Sequence, residues 1–212
     1  MASQRDSLIP GIDRIWWIGG VTCSGKSTVA KLVAGRAGRK VYSTDDHFDR
    51  HARNATKERH PTMHSYQNDE WLDWVRGLLP DERAEVWLRF YRERFSMILD
   101  DLATIRGPSV VAEGVDLLPE LVPLGIPARN VVWLVPSRPF FEDHYSERDW
   151  VSEGPDENTW RYYARMIKHV EDGVRQRDAA VMQVDGRTSP EEIAEVLTAR
   201  FESSEDIDAD RR

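Results

Sequence analysis

The segment Gly20-Val21-Thr22-Cys23-Ser24-Gly25-Lys26-Ser27 satisfies G-x-x-x-x-G-K-[ST] at every position, and the rest of the chain is best understood from it outward. The spacing has a physical cause. Glycines let the backbone curl until successive N–H groups point inward and form a concave site for phosphate oxygens. Lys26 adds a mobile positive charge for the β and γ phosphates of a bound nucleotide, and Ser27 offers a hydroxyl to Mg²⁺. A helix starting near Lys26 aims its positive N-terminal end at the same point. The flanks supply the context the motif requires. R-I-W-W-I-G at residues 14–19 reads as a buried strand, and residues 26–37 have helical spacing with Gly38 as the stop. The expected ATP-binding residues are Gly20, Val21, Thr22, Cys23, Ser24, Gly25, Lys26, Ser27 and Thr28.

Outward from this loop, short apolar runs alternate with helical stretches. Residues 40–43, 109–112, 131–135 and 180–184 read as further strands, all five of them buried. That order predicts an α/β fold of the P-loop NTPase type: a five-stranded parallel sheet with helices on both faces. Residues 45–66 are polar and read as a loop or broken helix. Between 69 and 105 the pattern is helical, with Trp71, Trp74, Val75 and Leu78 on one face and a longer helix after Pro80, broken by Gly107 and Pro108. This stretch is too long for a simple crossover, so residues 49–107 are expected to form a helical substrate-binding insertion and 137–158 a small lid within one domain spanning 1–201. Residues 159–177 are amphipathic. Ser189, Pro190 and Glu192 form a capping box for a last helix over 190–201. The acidic residues 202–212 are expected to be a disordered tail.

Composition narrows the partners. The 212 residues carry 29 Lys plus Arg against 37 Asp plus Glu, a net charge of −8, which argues against a nucleic-acid binder. A single cysteine, Cys23, excludes an intramolecular disulfide. Residues 1–10 lack the apolar core of a signal peptide, and no run of about 18 apolar residues suggests a membrane span. A cytoplasmic monomer or homodimer is expected.

Phosphoryl transfer to an alcohol needs the phosphates held, Mg²⁺ to neutralise charge, and a carboxylate to accept the hydroxyl proton. In an open parallel sheet these groups gather at the carboxyl ends of the strands. Asp45 and Asp46 follow the second strand in Y-S-T-D-D-H-F. Asp45 is the candidate base and substrate contact, with a helix N-cap as the competing reading; Asp46 reads as that cap, as a supporting carboxylate or as a further substrate contact. Glu113 ends the third strand in V-V-A-E-G, where it is expected to hold Mg²⁺ directly or through water and to touch substrate.

Three islands carry a resemblance: G-V-T-C-S-G-K-S-T, S-T-D-D-H-F and V-V-A-E-G-V-D-L-L. Together they resemble the uridine kinase and nicotinamide riboside kinase family of P-loop kinases. The later segments V-W-L-V-P at 132–136 and V-D-G-R-T-S-P-E-E-I at 184–193 fit the same pattern. The resemblance implies an ATP- and Mg²⁺-dependent kinase with a nucleoside-like acceptor, Asp45 as general base, Glu113 supporting Mg²⁺ or substrate, and a lid after the fourth strand. The family's lid is dense in arginine, whereas residues 137–150 hold only Arg138 and Arg148. Arg148 is the best match to a lid arginine on ATP.

Several side chains keep two readings. His47 and Arg50 are candidate substrate contacts or solvated loop residues, and Arg53 and Arg59 are alike in this. Trp71, Trp74 and Trp87 read as core more readily than as stacking platforms. A nucleoside monophosphate acceptor and a non-catalytic nucleotide-binding regulatory module remain the alternative functions. Neither N-K-x-D nor D-x-x-G, the motifs of a guanine nucleotide switch, occurs in the chain.

Overall fold

The computed structural model describes residues 12–105, 110–123, 125–148, 154–177 and 179–203. The expected tail beyond 203, the helix break at Gly107 and Pro108, the strand start at Ser109 and the middle of the lid at 149–153 lie outside these residues.

Five strands form one parallel sheet: β1 Trp16–Gly20, β2 Lys40–Ser43, β3 Val110–Glu113, β4 Val131–Pro136 and β5 Ala180–Val184, in the order β2-β3-β1-β4-β5. All four pairings are parallel, so every strand ends at the same edge. The three central strands β3, β1 and β4 are buried along their whole length. The outer strands β2 and β5 are only partly covered, unlike the expectation, because each has a neighbour on one side alone. A strand covered on both faces needs no polar alternation, which is why W-W-I-G-G and V-V-W-L-V-P read as continuous apolar runs.

Helices cover both faces. One is covered by α1 Lys26–Ala37 and α8 Pro190–Glu202, whose Val29, Val33, Ile193, Leu197 and Phe201 pack on Trp16, Ile18, Val111, Val132 and Leu134. The other is covered by α5 Pro80–Thr104 and α7 Glu157–Arg177. Trp16 and Trp17 alternate across the sheet, one into each core, and each is at most 1% exposed. Burying an indole this fully contributes about 5 kcal/mol of transfer free energy. The expected capping box is present, with Ser189 Oγ accepting from the Glu192 amide at 3.2 Å and Glu192 Oε2 accepting from the Ser189 amide at 2.8 Å.

The stretch between β2 and β3 is more helical than its polarity suggests. A 3₁₀ turn Asp45–His47 leads into α2 Phe48–Asn54, then α3 Pro61–Ser65 and α4 Trp71–Arg76. Apolar contacts with α5 stabilise these short helices in place of intrinsic propensity. Phe48 stacks on Phe90 at 5.5 Å between centroids. Trp71 is buried, but Trp74 is 54% exposed, contrary to the expectation that both belong to the core. After β4, α6 Arg138–Ser146 is capped by Ser137. No helix among the described residues is long and apolar enough to cross a membrane.

Candidate active site

The strand order sets the site. β3 lies between β1 and β2, and Glu113 is level with Ile18 on one side and Ser43 on the other. The loop after β1 and the turn after β2 therefore flank the Glu113 carboxylate at the carboxyl edge of the sheet. Hydrogen bonds fix it there: Ser43 Oγ donates to Oε1 at 2.5 Å and Ser27 Oγ to Oε2 at 3.2 Å.

The loop from Gly20 to Ser27 curls as the motif requires. Gly25 is left-handed at φ 76° and ends the loop at the α1 N-terminus. Cys23 is also left-handed, at φ 60°, which costs a residue with a Cβ about 1 kcal/mol and is held here by its buried surroundings. Lys26 is buried, and its Nζ donates to the Val21 carbonyl at 2.6 Å. Burial pulls the Lys26 ammonium below its ordinary range, and the charges of Glu113 and Asp45 oppose that pull. A further anion beside Lys26 strengthens the opposing effect, so the site electrostatically favours a phosphate.

A cavity of about 300 Å³ opens over this loop. Thr22, Cys23, Ser24, Gly25, Lys26, Ser27 and Thr28 form its floor, with Asp45, Val115 and Arg148 at its walls. The fold thus brings together the phosphate loop, the strand-end carboxylate Asp45 and the arginine that follows α6. Gly20, at the strand end, lines an adjoining recess with Val21 and Thr22. Asp46 is exposed on the 3₁₀ turn. The other two expected substrate contacts are engaged elsewhere: His47 stacks on Tyr42 at 4.7 Å, and Arg50 pairs with Asp101 at 2.6 Å. Both sit on the turn and helix after Asp45, where His47 packs back on β2 and Arg50 reaches α5.

A second cavity, of about 320 Å³, shares Thr22 with the first. Tyr66, Trp87, Tyr91, Tyr162 and Tyr163 give it an aromatic lining, Leu72 and Val75 add aliphatic surface, and Arg76 and Arg83 supply charge. Sequence reasoning assigns Trp87 to the core and misses the tyrosines. Arg83, Trp87 and Tyr91 recur every fourth residue on α5, the one signal that they share a face.

Behind Asp45 lies a polar network that the sequence does not reveal. Arg94 donates to both carboxylate oxygens of Asp116, to the Thr44 carbonyl, and to His51 Nδ1 at 3.2 Å. Thr44 Oγ1 donates to Asp116 at 2.8 Å. Beyond it, Asp101 accepts from Tyr42 Oη at 2.8 Å and pairs with His51 Nε2 at 2.9 Å. The nearest signal is Asp116 in V-V-A-E-G-V-D, three residues past Glu113.

The fold matches shikimate kinase from Acinetobacter baumannii, solved in complex with shikimate, at a TM-score of 0.54 and 15% identity over 90% of this chain and 93% of that one. It also matches shikimate kinase from Aquifex aeolicus at a TM-score of 0.50 and 18% identity, over 90% of this chain and 97% of that one. The chain has a P-loop NTPase fold. At such identities the likeness establishes the P-loop fold alone. No protein-family model matches the chain, and no curated protein sequence does so significantly. Both named P-loop neighbours are shikimate kinases, whereas the sequence islands resemble uridine and nicotinamide riboside kinases.

Proposed function

We propose that this protein is an ATP-dependent phosphotransferase that moves the γ-phosphoryl group of ATP onto a hydroxyl of a ring-bearing, nucleoside-like small molecule. One observation carries the reading: the cavity over the phosphate loop has Lys26 in its floor and Asp45 and Arg148 in its walls. These are the parts that phosphoryl transfer to an alcohol needs.

ATP lies with its phosphates in the loop, where main-chain amides and Lys26 hold the β and γ groups. Ser27 and Glu113 fit Mg²⁺, a hard cation that takes one or two protein oxygens and completes its shell with phosphates and water. The ion supplies charge neutralisation on the phosphate oxygens. The acceptor enters through the aromatic cavity that meets the loop at Thr22. Its hydroxyl proton passes to the Asp45 carboxylate as the oxygen forms a bond to the γ-phosphorus. The bond to the β–γ bridging oxygen breaks, and ADP leaves. Arg148 faces the charge that spreads over the transferring group.

The nucleoside-like acceptor is supported by the resemblance of the sequence islands and by the aromatic lining, which suits the face of a planar ring.

Asp45→Asn tests the reading. It removes the proton acceptor and keeps the shape of the side chain, so acceptor-dependent ADP release is expected to fall about 10²- to 10⁴-fold. ATP affinity, measured by calorimetry, is expected to change little. Unimpaired turnover in Asp45→Asn overturns the assignment of the base.

A further inference from the structure

The aromatic cavity contains a cation that makes no close ion pair among the described residues, although its charge reaches the Asp156 carboxylate. Arg83 lines it from α5, half-buried, with its guanidinium 4.3 Å from the centre of the Tyr162 ring. Its Nε is buried without a hydrogen-bond partner. No carboxylate among the described residues lies within ion-pair distance of it, and the acidic side chains of the surrounding segments direct their oxygens to other donors. Glu82 accepts from the Leu79 amide at 3.3 Å. Asp81 and Glu85 both face Arg165, at 3.6 and 3.3 Å. Asp156 accepts from the Thr159 amide at 2.7 Å. Arg76, the second cation of the cavity, has only a loose, exposed contact with Asp73 at 3.6 Å.

Partial burial of a guanidinium carries a desolvation cost that a partner normally offsets. Stacking on Tyr162 offsets part of it; the buried Nε is out of a ligand's reach, and the edge of the fork formed by the two terminal nitrogens makes no hydrogen bond among the described residues. That edge is suited to a planar or tetrahedral oxyanion. The tyrosines do not compete for the role: burial raises the Tyr162 and Tyr163 hydroxyls, so they stay neutral.

We infer that the acceptor is an acid: a ring-bearing alcohol that carries a carboxylate or phosphate group, read by Arg83 with Arg76 while its ring lies among Tyr66, Trp87, Tyr91 and Tyr162. This rests on the phosphotransferase reading for the word acceptor, but the anion site stands on the cavity itself. Specificity follows from the same geometry. A neutral analogue leaves the half-buried cation unpartnered and binds less well.

Three small probes test it without knowledge of the natural substrate: benzoate, phenyl phosphate and benzyl alcohol, titrated into the full chain and followed by ligand-observed NMR. The two anions are expected to bind at least about tenfold more tightly than benzyl alcohol. Comparison of benzoate with phenyl phosphate identifies which oxyanion the fork prefers. Arg83→Gln is expected to abolish the preference for the anions, and Arg83→Lys, which keeps the charge, to retain part of it. Equal binding of benzyl alcohol, undetectable binding of both anions, or an undiminished preference in Arg83→Gln overturns the inference. ATP titration of the wild-type protein separates the two readings. Failure of the phosphotransferase reading shows as absent ATP binding with the anion preference intact.

Discussion

Arg94 and Asp116 face each other through one guanidinium nitrogen, at 2.9 and 3.1 Å from the two carboxylate oxygens, and neither side chain has any exposed surface. Such a pair is expensive to desolvate and is tolerated only when its remaining donors and acceptors are satisfied. Here Thr44 supplies both needs. Its hydroxyl donates to Asp116 and its carbonyl accepts from Arg94. The pair thereby fixes the residue that immediately precedes Asp45, so the position of the proposed base is set by α5 and by the segment after β3 as well as by its own strand.

Removing one partner is expected to cost about 3 to 5 kcal/mol, because it strands a buried charge. Arg94→Leu and Asp116→Leu should each lower the urea midpoint strongly. The double variant should be less destabilised than the sum of the two, and a double-mutant cycle from the urea curves measures the coupling. In any single variant that still folds, turnover should fall further than ATP affinity.

Gly114 sets the same arrangement from the other side. A Cβ at this position would lie 1.9 Å from Thr44 Oγ1, and its φ of 157° disfavours a side chain. Gly114→Ala must push Thr44 away from Asp116. A loss of about 2 to 4 kcal/mol is expected by thermal or chemical denaturation. Gly35→Ala, where an added Cβ meets nothing within 4 Å, is the neutral control and should be stable or slightly stabilised.

His51 links this network to acid stability. Its Nδ1 accepts from Arg94 Nε, so the ring is the neutral tautomer with Nε2–H directed at Asp101. Burial first, and Arg94 second, depress it from the ordinary 6.5 to about 4. Below 6.5 the unfolded chain takes up this proton and the folded protein does not. Stability is therefore full above about pH 6.5 and declines as pH falls towards 4, by up to about 3 kcal/mol. Asp101 acts in the same direction. Burial alone would raise it, but hydrogen bonds from Arg50 and Tyr42 hold it below the usual carboxylate range. His51→Gln, which can keep both hydrogen bonds, is expected to flatten the melting-temperature profile across this window.

Glu113→Gln removes the carboxylate placed between Ser27 and Ser43 while keeping most of its shape. The Mg²⁺ concentration at half-maximal turnover is expected to rise about tenfold or more if Glu113 holds the ion, directly or through water, as proposed. Calorimetric titration of Mg²⁺ into the ATP-bound protein checks the same point without turnover.

Part of this arrangement is legible in the sequence because it is local. G-V-T-C-S-G-K-S dictates its own backbone path, and the apolar strand before it and helix after it follow from residue type over a dozen positions. The carboxylates Asp45 and Glu113 are legible for a related reason: Glu113 ends the apolar strand V-V-A-E, Asp45 lies two residues past the second strand, and parallel strands all end at one edge. The partners of the side chains after Asp45 are not legible. His47 and Arg50 attract attention by proximity to Asp45, but a 3₁₀ turn and a helix carry them to Tyr42 and Asp101. The aromatic cavity is hidden because Tyr66, Trp87 and Tyr162 come from three segments, and an aromatic that lines a cavity reads in sequence like one that fills a core.

The phosphate loop, the five parallel strands and the two carboxylates at their ends are written in the chain alone, since they depend on short-range backbone preference and on the burial of continuous apolar runs. Which cations are satisfied and which are not is settled by how the chain packs. Arg94 and Arg83 lie eleven residues apart on one helix. One is locked to Asp116, and the other lines a cavity with no ion pair among the described residues and its buried Nε without a hydrogen bond. Nothing in their local sequence distinguishes them, because the difference lies in what distant segments bring, or fail to bring, within hydrogen-bond reach.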